Sequence, residues 1–241
     1  MSELDNPVWW SLDGPHRALG EFAGRACRFD PEISPFGAFE VRPTPSDWDD
    51  MASLVGPGGT VAIVGPGDGV LGHPKGWTVT WEGPGVQMVA ERGVLGPPLR
   101  TQSAGQGDPV LALGDEDVSD MLALVAEARP GPFLSRTIEF GGYVGIRRQG
   151  RLVAMAGERL RTEGWSEVSA VATHPGHRRL GLAEQLIRTV ASAIVDRGAS
   201  PFLHAAAGNT NAIRLYESIG FTVRRTVRFT GLGAPPSAGP G

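Results

Sequence analysis

Apolar and polar positions along residues 110–229 follow two different periods, which predicts a succession of strands and helices. Alternating or continuous apolar runs indicate strands at 110–113, 141–148, 152–160, 167–173, 201–206 and 221–229. Apolar residues spaced three and four positions apart indicate helices at 118–128, 180–195 and 212–219. From residue 167 onward the predicted order is strand, loop, helix, strand, helix, strand, which favours an α+β fold with a mixed sheet.

The first hundred residues show shorter elements separated by turn residues. A helix is predicted at 48–55 and strands at 60–64, 77–81 and 86–90, and Gly-Pro-Gly sequences that begin at 56, 65 and 83 predict turns. Residues 93–109 have little hydrophobic periodicity, so we place a boundary there. The predicted division is an α+β domain at 1–108, a second domain at 109–230 and a flexible tail at 231–241.

The helix at 180–195 begins in a way that is typical of an anion site. The strand 167–173 leads into Arg178 and a tight turn at Gly181, just before the helix. Glycine lets a ligand approach the backbone, and the unpaired amides and dipole of a helix N-terminus favour negative charge. A diphosphate fits such a turn.

A second group of residues lies downstream: Asn209 as a helix cap, then Leu215-Tyr216-Glu217 and Gly220-Phe221. With Val171-x-x-His174-Pro175 and Arg178-Arg179-Leu180-Gly181-Leu182-Ala183, they resemble the GNAT superfamily of N-acetyltransferases. The resemblance covers about residues 110–230. It implies a sheet whose central parallel strands, 167–173 and 201–206, splay apart to admit acetyl-CoA. Residues 1–108 would be a smaller α+β domain or a degenerate second copy of that fold.

The resemblance also implies a set of binding residues for acetyl-CoA as co-substrate, with no metal. The amides of 179–183 would hold the pyrophosphate, Arg178 would add a charged contact, and an amide near Val171 or Ala172 would polarise the thioester carbonyl. Asn209 could cap its helix, contact the pantetheine, or do both. The full set is Val171, Ala172, Thr173, Arg178, Arg179, Leu180, Gly181, Leu182, Ala183 and Asn209.

Two residues are candidates for proton transfer. Tyr216, with a reference pKa of about 10, would protonate the departing thiolate, unless it is simply a core tyrosine. Glu167 would be the base if partial burial raised its pKa from about 4.3, and otherwise a solvated residue at the strand end. For His174 and His177 the sequence favours a role in loop structure or in a cofactor contact over catalysis, and His204 is either packed or lines the substrate site. Trp165, Phe140 and Tyr143 line an acceptor pocket or belong to the core.

Charge and composition limit the kinds of ligand and the locations that the sequence favours. Residues 1–128 hold 7 basic and 19 acidic side chains and residues 129–241 hold 15 and 7, within an overall net charge of −4. A basic second half suits the phosphates of coenzyme A, with nucleic acid as the rival ligand. Cys27 is the only cysteine, which excludes an internal disulfide and favours a reducing, cytoplasmic location. No apolar run is long enough for a membrane helix.

The sequence therefore predicts an N-acetyltransferase that moves acetyl from acetyl-CoA to a primary amine by direct attack in a ternary complex. The acceptor would be an amine-bearing small molecule or a peptide or protein N-terminus, with no nucleic-acid or membrane partner, and a homodimer is left open. The alternative is a non-catalytic acyl-CoA binding or regulatory module that keeps the phosphate turn and lacks turnover.

Overall fold

The computed structural model describes residues 2–67, 72–90 and 108–236. Its strands are β1 (Gly20–Ala23), β2 (Ala26–Phe29), β3 (Gly37–Phe39), β4 (Thr60–Pro66), β5 (Thr78–Val89), β6 (Leu111–Ala112), β7 (Val144–Arg148), β8 (Arg151–Arg161), β9 (Trp165–Thr173), β10 (Ser200–Ala206) and β11 (Thr222–Gly233). Its α-helices are α1 (Pro7–Leu12), α2 (Pro45–Val55), α3 (Val118–Ala128), α4 (Leu182–Asp196) and α5 (Thr210–Ile219). The predicted mixed α+β class is confirmed.

Eight strands form one large sheet in the order β4-β11-β5-β10-β9-β8-β7-β6. Neighbours are antiparallel except β9 and β10, which run parallel at the centre. Strands β1, β2 and β3 form a separate three-stranded sheet.

The two parallel strands separate partway along their length. Backbone pairing joins Ser200 to Trp165, Pro201 to Ser166 and Phe202 to Glu167, and it ends there. Beyond this point β9 stays paired with β8 up to Thr173, and β10 stays paired with β5 up to Ala206. The predicted splay is therefore present, and it opens toward the C-terminal ends of both strands.

Strand β5 differs from the prediction. The sequence indicated two short strands with a turn at Gly83-Pro84-Gly85, but the chain continues through these residues as one strand of 12 residues along β11. The carbonyl oxygen of Pro84 accepts from the amide of Ala207, so the proline nitrogen faces the β10 side, where β10 has already ended. The missing N–H of Pro84 therefore costs no bond to β11.

Strands from both sides of the predicted boundary share the large sheet. Strands β4 and β5 come from residues before 108, and β5 lies between β10 and β11. Strand β11 runs to Gly233, past the predicted domain end at 230. The boundary segment itself lies almost wholly outside the described residues, and the division into domains stays a prediction. The small sheet and α1 were not predicted, because their elements are too short to show a period.

Helices cover the sheet on both faces. Apolar residues of α4 and α5 pack with Val153, Val168 and Leu203 in one core cluster. On the opposite face Phe202 packs with Phe29 and other residues that precede β4, together with residues of α3. A third cluster joins α2 to β4 and the end of β11. Within the described ranges, no helix combines the length and apolar character needed to cross a membrane.

Two glycines on β5 give a matched test of the fold. A Cβ on Gly85 would lie 2.5 Å from Cε2 of Phe229 and 2.9 Å from the carbonyl oxygen of Ala205, whereas a Cβ on Gly83 meets no atom within 4 Å. We expect Gly85→Ala to lower the free energy of unfolding by about 1–3 kcal/mol through overpacking. Urea unfolding measures it, with Gly83→Ala as the control. Equal costs for the two variants would contradict the placement of β5 against β10 and β11.

Candidate functional site

The turn between β9 and α4 exposes a row of backbone amides. It passes through a 3-10 turn at Pro175–His177 and reaches α4 through Arg179 and Gly181, both in the left-handed region with φ of 62° and 75°. The amide of His177 donates to the carbonyl oxygen of His174 at 2.8 Å. Within the described part of the chain, the amides of 178–183 donate to no acceptor.

These free amides lie at the positive end of a helix of 15 residues. Arg178 and Arg179 are exposed, and neither forms an ion pair with a described residue. A Cβ on Gly181 would meet no atom within 4 Å, so the space in front of the turn is open. The turn thus combines unpaired donors, two free cations and open access, which is the arrangement that an anion requires.

His174 holds the start of this turn. Its Nδ1 accepts from the amide of Gly176 at 3.1 Å, so the ring proton lies on Nε2, which is 2.8 Å from Oε2 of Glu127. Nδ1 of His177 lies 3.3 Å from the same Nδ1 of His174. Glu127 comes from α3 and also pairs with Arg151. His174 thus takes part in the structure of the loop, which was one of the predicted interpretations, and a cofactor contact stays a prediction.

Strand β9 is irregular where it borders the cleft. Ser169 pairs with Gly157 and Ala172 with Met155, so Ala170 and Val171 together face the single residue Ala156 in a β-bulge. Ala170 has a φ of 52°, which is strained for a residue with a Cβ. At the end of β9, the hydroxyl oxygen of Thr173 is buried and has no hydrogen-bond partner among the described residues. Both features lie on the part of β9 that no longer pairs with β10.

Tyr216 lies on α5 and Asn209 is the N-cap of that helix, as predicted. Tyr216 is 8% exposed and packs in the same core cluster as Leu182 and Ala205. Its hydroxyl bonds to none of the described residues, and burial raises its pKa to about 12, so the phenol keeps its proton at neutral pH. Oδ1 of Asn209 accepts from the amide of Ala212 at 3.2 Å, which confirms the predicted cap.

Glu167 has surroundings unlike those expected for a base. It is fully buried, accepts two hydrogen bonds from Arg159 at 2.9 and 2.7 Å, and lies 2.8 Å from Nδ1 of His204. Burial alone would raise its pKa, but the charge of Arg159 and the hydrogen bonds of both partners outweigh burial and hold the pKa well below its usual range. The expected upward shift is wrong, and so is the alternative of a solvated strand-end carboxylate.

The sequence analysis missed Arg159 and Gln87 as partners in this cluster. Nε2 of Gln87 lies 3.1 Å from Nε2 of His204. Arg159 is a charged residue in a strand whose neighbours are buried, and such a position indicates a buried counter-charge.

The aromatic residues predicted as candidates for the acceptor pocket belong mainly to the core: Phe140 and Tyr143 are buried, and Trp165 packs against the same cluster. Cys27 is buried as well, and burial raises the pKa of its thiol to about 12.

Comparison with known proteins agrees with this geometry. A family model described as FR47-like protein matches residues 143–230. A proposed acetyltransferase of the GNAT family from Novosphingobium aromaticivorans is 40% identical, over 97% of this chain and 99% of its own, with a TM-score of 0.83. A GCN5-related N-acetyltransferase from Kribbella flavida shares the fold, with 20% identity over 90% of each chain and a TM-score of 0.59. No curated protein matches the sequence.

The mixed sheet of this chain is that of the acetyltransferase fold class, as its likeness to both solved structures shows. The full-length identity with the Novosphingobium protein then decides the family. This chain belongs to the GNAT family.

The buried ion pair gives a stability prediction. Glu167→Gln leaves the buried guanidinium of Arg159 without its counter-charge, so we expect a loss of about 3–5 kcal/mol in urea unfolding at neutral pH. Glu21→Gln breaks an exposed pair with Arg28 and should cost at most about 1 kcal/mol. A small loss for both would show that the buried pair does not stabilise the fold.

The same ion pair makes the free energy of unfolding depend on pH. Because the folded-state pKa of Glu167 is depressed, its contribution to the free energy of unfolding is complete above the ordinary pKa of a glutamate and is lost as the pH falls below that value. The unfolding free energy of the wild type should therefore fall more steeply in acid than that of Glu167→Gln.

Proposed function

We propose that this protein transfers an acetyl group from acetyl-CoA to a primary amine by direct attack in a ternary complex. The observation that carries the proposal is the row of free amides at 178–183, placed at the mouth of the gap between β9 and β10. A diphosphate bound at the turn leaves the pantetheine arm and its thioester to enter that gap.

The residues at the turn fit the phosphates of coenzyme A. The amides of Arg179, Leu180, Gly181, Leu182 and Ala183 would bind the pyrophosphate, and Arg178 would add a charge-assisted contact. The buried hydroxyl of Thr173 lacks a partner among the described residues and would find one on the arm of the ligand. Asn209 keeps its side chain on the helix cap and would contact the pantetheine only with the rest of its polar surface.

Acetyl transfer needs a polarised carbonyl and a proton for the leaving thiolate. The bulge at Ala170 takes Val171 out of register with β8, and an amide near Val171 or Ala172 would bind the carbonyl oxygen. Tyr216 would supply the proton, because its phenol is protonated and unpaired within the described residues. Glu167 enters the proposal as the partner of Arg159 and His204 and not as the base.

One observation favours the second candidate, a non-catalytic acyl-CoA binding or regulatory module. The carboxylate predicted to accept the proton of the amine is already bonded to Arg159. Both candidates predict binding of acetyl-CoA, but only the enzyme predicts release of thiol in the presence of an amine. The panel should hold small-molecule amines and peptide N-termini, with products identified by mass spectrometry. Binding without thiol release on the whole panel would favour the module.

Gly181→Glu tests the turn. The substitution places a carboxylate where the diphosphate would bind, so we expect acetyl-CoA affinity to fall at least about 100-fold in calorimetry, from lost amide contacts and charge repulsion. Gly198→Glu is the matched control, since Gly198 has a φ of 83°, equally open space, and lies beyond the other end of α4. Unchanged affinity in Gly181→Glu would discredit the turn as the diphosphate site.

Tyr216→Phe tests whether Tyr216 is the general acid that protonates the leaving thiolate. The variant keeps the packing of the ring and removes the proton, so turnover should fall roughly 10²-fold with acetyl-CoA affinity nearly unchanged. The other tyrosine offers the control, because Tyr143 packs against Phe133 in a different core cluster from that of Tyr216. Tyr143→Phe should therefore retain full turnover. A fully active Tyr216→Phe enzyme would remove Tyr216 from the mechanism.

A further inference from the structure

A side-chain bridge crosses the two parallel strands just where their backbone pairing stops. The last pair joins Phe202 to Glu167, and His204, two residues further on β10, turns back to place Nδ1 2.8 Å from Oε1 of Glu167. The side chain of His204 is 2% exposed and that of Glu167 is 1% exposed. Among the described residues no backbone pairing joins β9 to β10 past this point, so the bridge is the last hydrogen bond between the two strands before the cleft opens.

The hydrogen-bond network fixes the proton on His204. Oε1 of Gln87 accepts from Nη1 of Arg224 at 2.8 Å, so the amide nitrogen of Gln87 must face the other way. That nitrogen donates to the carbonyl oxygen of Leu4 at 2.9 Å and lies 3.1 Å from Nε2 of His204. Nε2 of His204 is therefore an acceptor, and Nδ1 carries the proton toward Glu167. The imidazole is neutral, with both nitrogens engaged.

With this assignment, His204 and Glu167 can hold the two strands together but cannot accept a proton from the amine. A neutral imidazole bonded on both sides has no free lone pair for the proton of an amine, and Glu167 is ionised against Arg159. The guanidinium carbon of Arg159 lies 4.9 Å from the centre of the Phe36 ring, which holds it from the N-terminal side. Both ends of the bridge are thus held by further residues, Glu167 by Arg159 and His204 by Gln87.

We propose that His204 is a positioning residue that, bonded to Glu167, holds β9 and β10 at the separation from which the cleft opens. The inference rests on the proposed function, because that separation sets where the thioester lies relative to the bulge at Ala170 and to Tyr216. The N-terminal half takes part directly, since Gln87 on β5 orients the imidazole.

The first test needs no variant. Nitrogen chemical shifts of the histidine rings in the labelled wild type should show His204 with its proton on Nδ1 throughout the neutral pH range. A proton on Nε2, or a doubly protonated ring, would overturn the proposal. This result stands whether or not the protein turns over, so it separates a failure of the bridge from a failure of the proposed function.

The second test compares two substitutions. His204→Leu removes the bond to Glu167 and leaves no charge unpaired, since Arg159 stays, whereas His204→Asn keeps an N–H near the position of Nδ1. We expect kcat/KM for acetyl-CoA to fall roughly 10²-fold in His204→Leu, the cost of a displacement of about 1 Å, with most of the loss restored in His204→Asn. The pH profile of kcat should keep its shape in both variants.

A buried histidine elsewhere serves as the control. His16 is 6% exposed and bonds to Oγ of Ser11 at 2.9 Å, away from the bridge. His16→Leu should leave kcat and KM unchanged in the folded protein. Full activity in His204→Leu would overturn the proposal, and so would the loss of one limb of its pH profile, which would make His204 a titrating catalytic group. A wild type that releases no thiol would refute the proposed function, and the bridge would then be judged by the ring shifts and by acetyl-CoA affinity.

Discussion

The structure depends on a missing set of hydrogen bonds between two parallel strands. Past Glu167 and Phe202, each central strand keeps one neighbour, β8 for β9 and β5 for β10, and turns its other edge to the gap. A backbone group buried without a partner costs about 1–3 kcal/mol, so such edges persist only if a ligand or water completes them. Under the proposed function the amide groups of a pantetheine arm would do this, and the gap and the amide turn would then serve the same ligand.

Keeping β10 in place requires the N-terminal half of the chain. If β10 lost β5 as well as β9, its outer residues would have no strand on either side, and the gap would have only one wall. Strand β5 provides that second wall and also carries Gln87, which reaches His204 across the sheet. The same strand links β10 to β11 and so to β4. Strand β5, which precedes residue 108, is therefore part of the framework of the site.

The features that the sequence predicted well are those with a local cause. Gly181 and Gly220 take positive φ at the ends of helices, Asn209 caps the helix that follows it, and the stripe of α4 has a clear period. Strand β5 was predicted wrongly because pairing with β11 overrides the local turn preference of Gly83-Pro84-Gly85. The state of Glu167 was missed for a similar reason, since its partners lie 8 and 37 residues away. The resemblance to the GNAT family named the site residues, and their roles stay proposals.

The charge asymmetry of the chain has a different meaning in the folded protein than in the sequence. Seven arginines after residue 128 form ion pairs with acids before it: Arg136, Arg147, Arg148, Arg151, Arg224, Arg225 and Arg228. Much of the excess positive charge of the second half is thereby neutralised within the molecule.

Among the described residues of that half, Arg178 and Arg179 are two of the few arginines without an ion pair, and both lie on the amide turn. Because paired charges give little net field at a distance, the attraction for an anionic ligand is concentrated at that turn and is not spread over a basic surface. A localised site of this kind suits a nucleotide diphosphate better than the extended backbone of a nucleic acid.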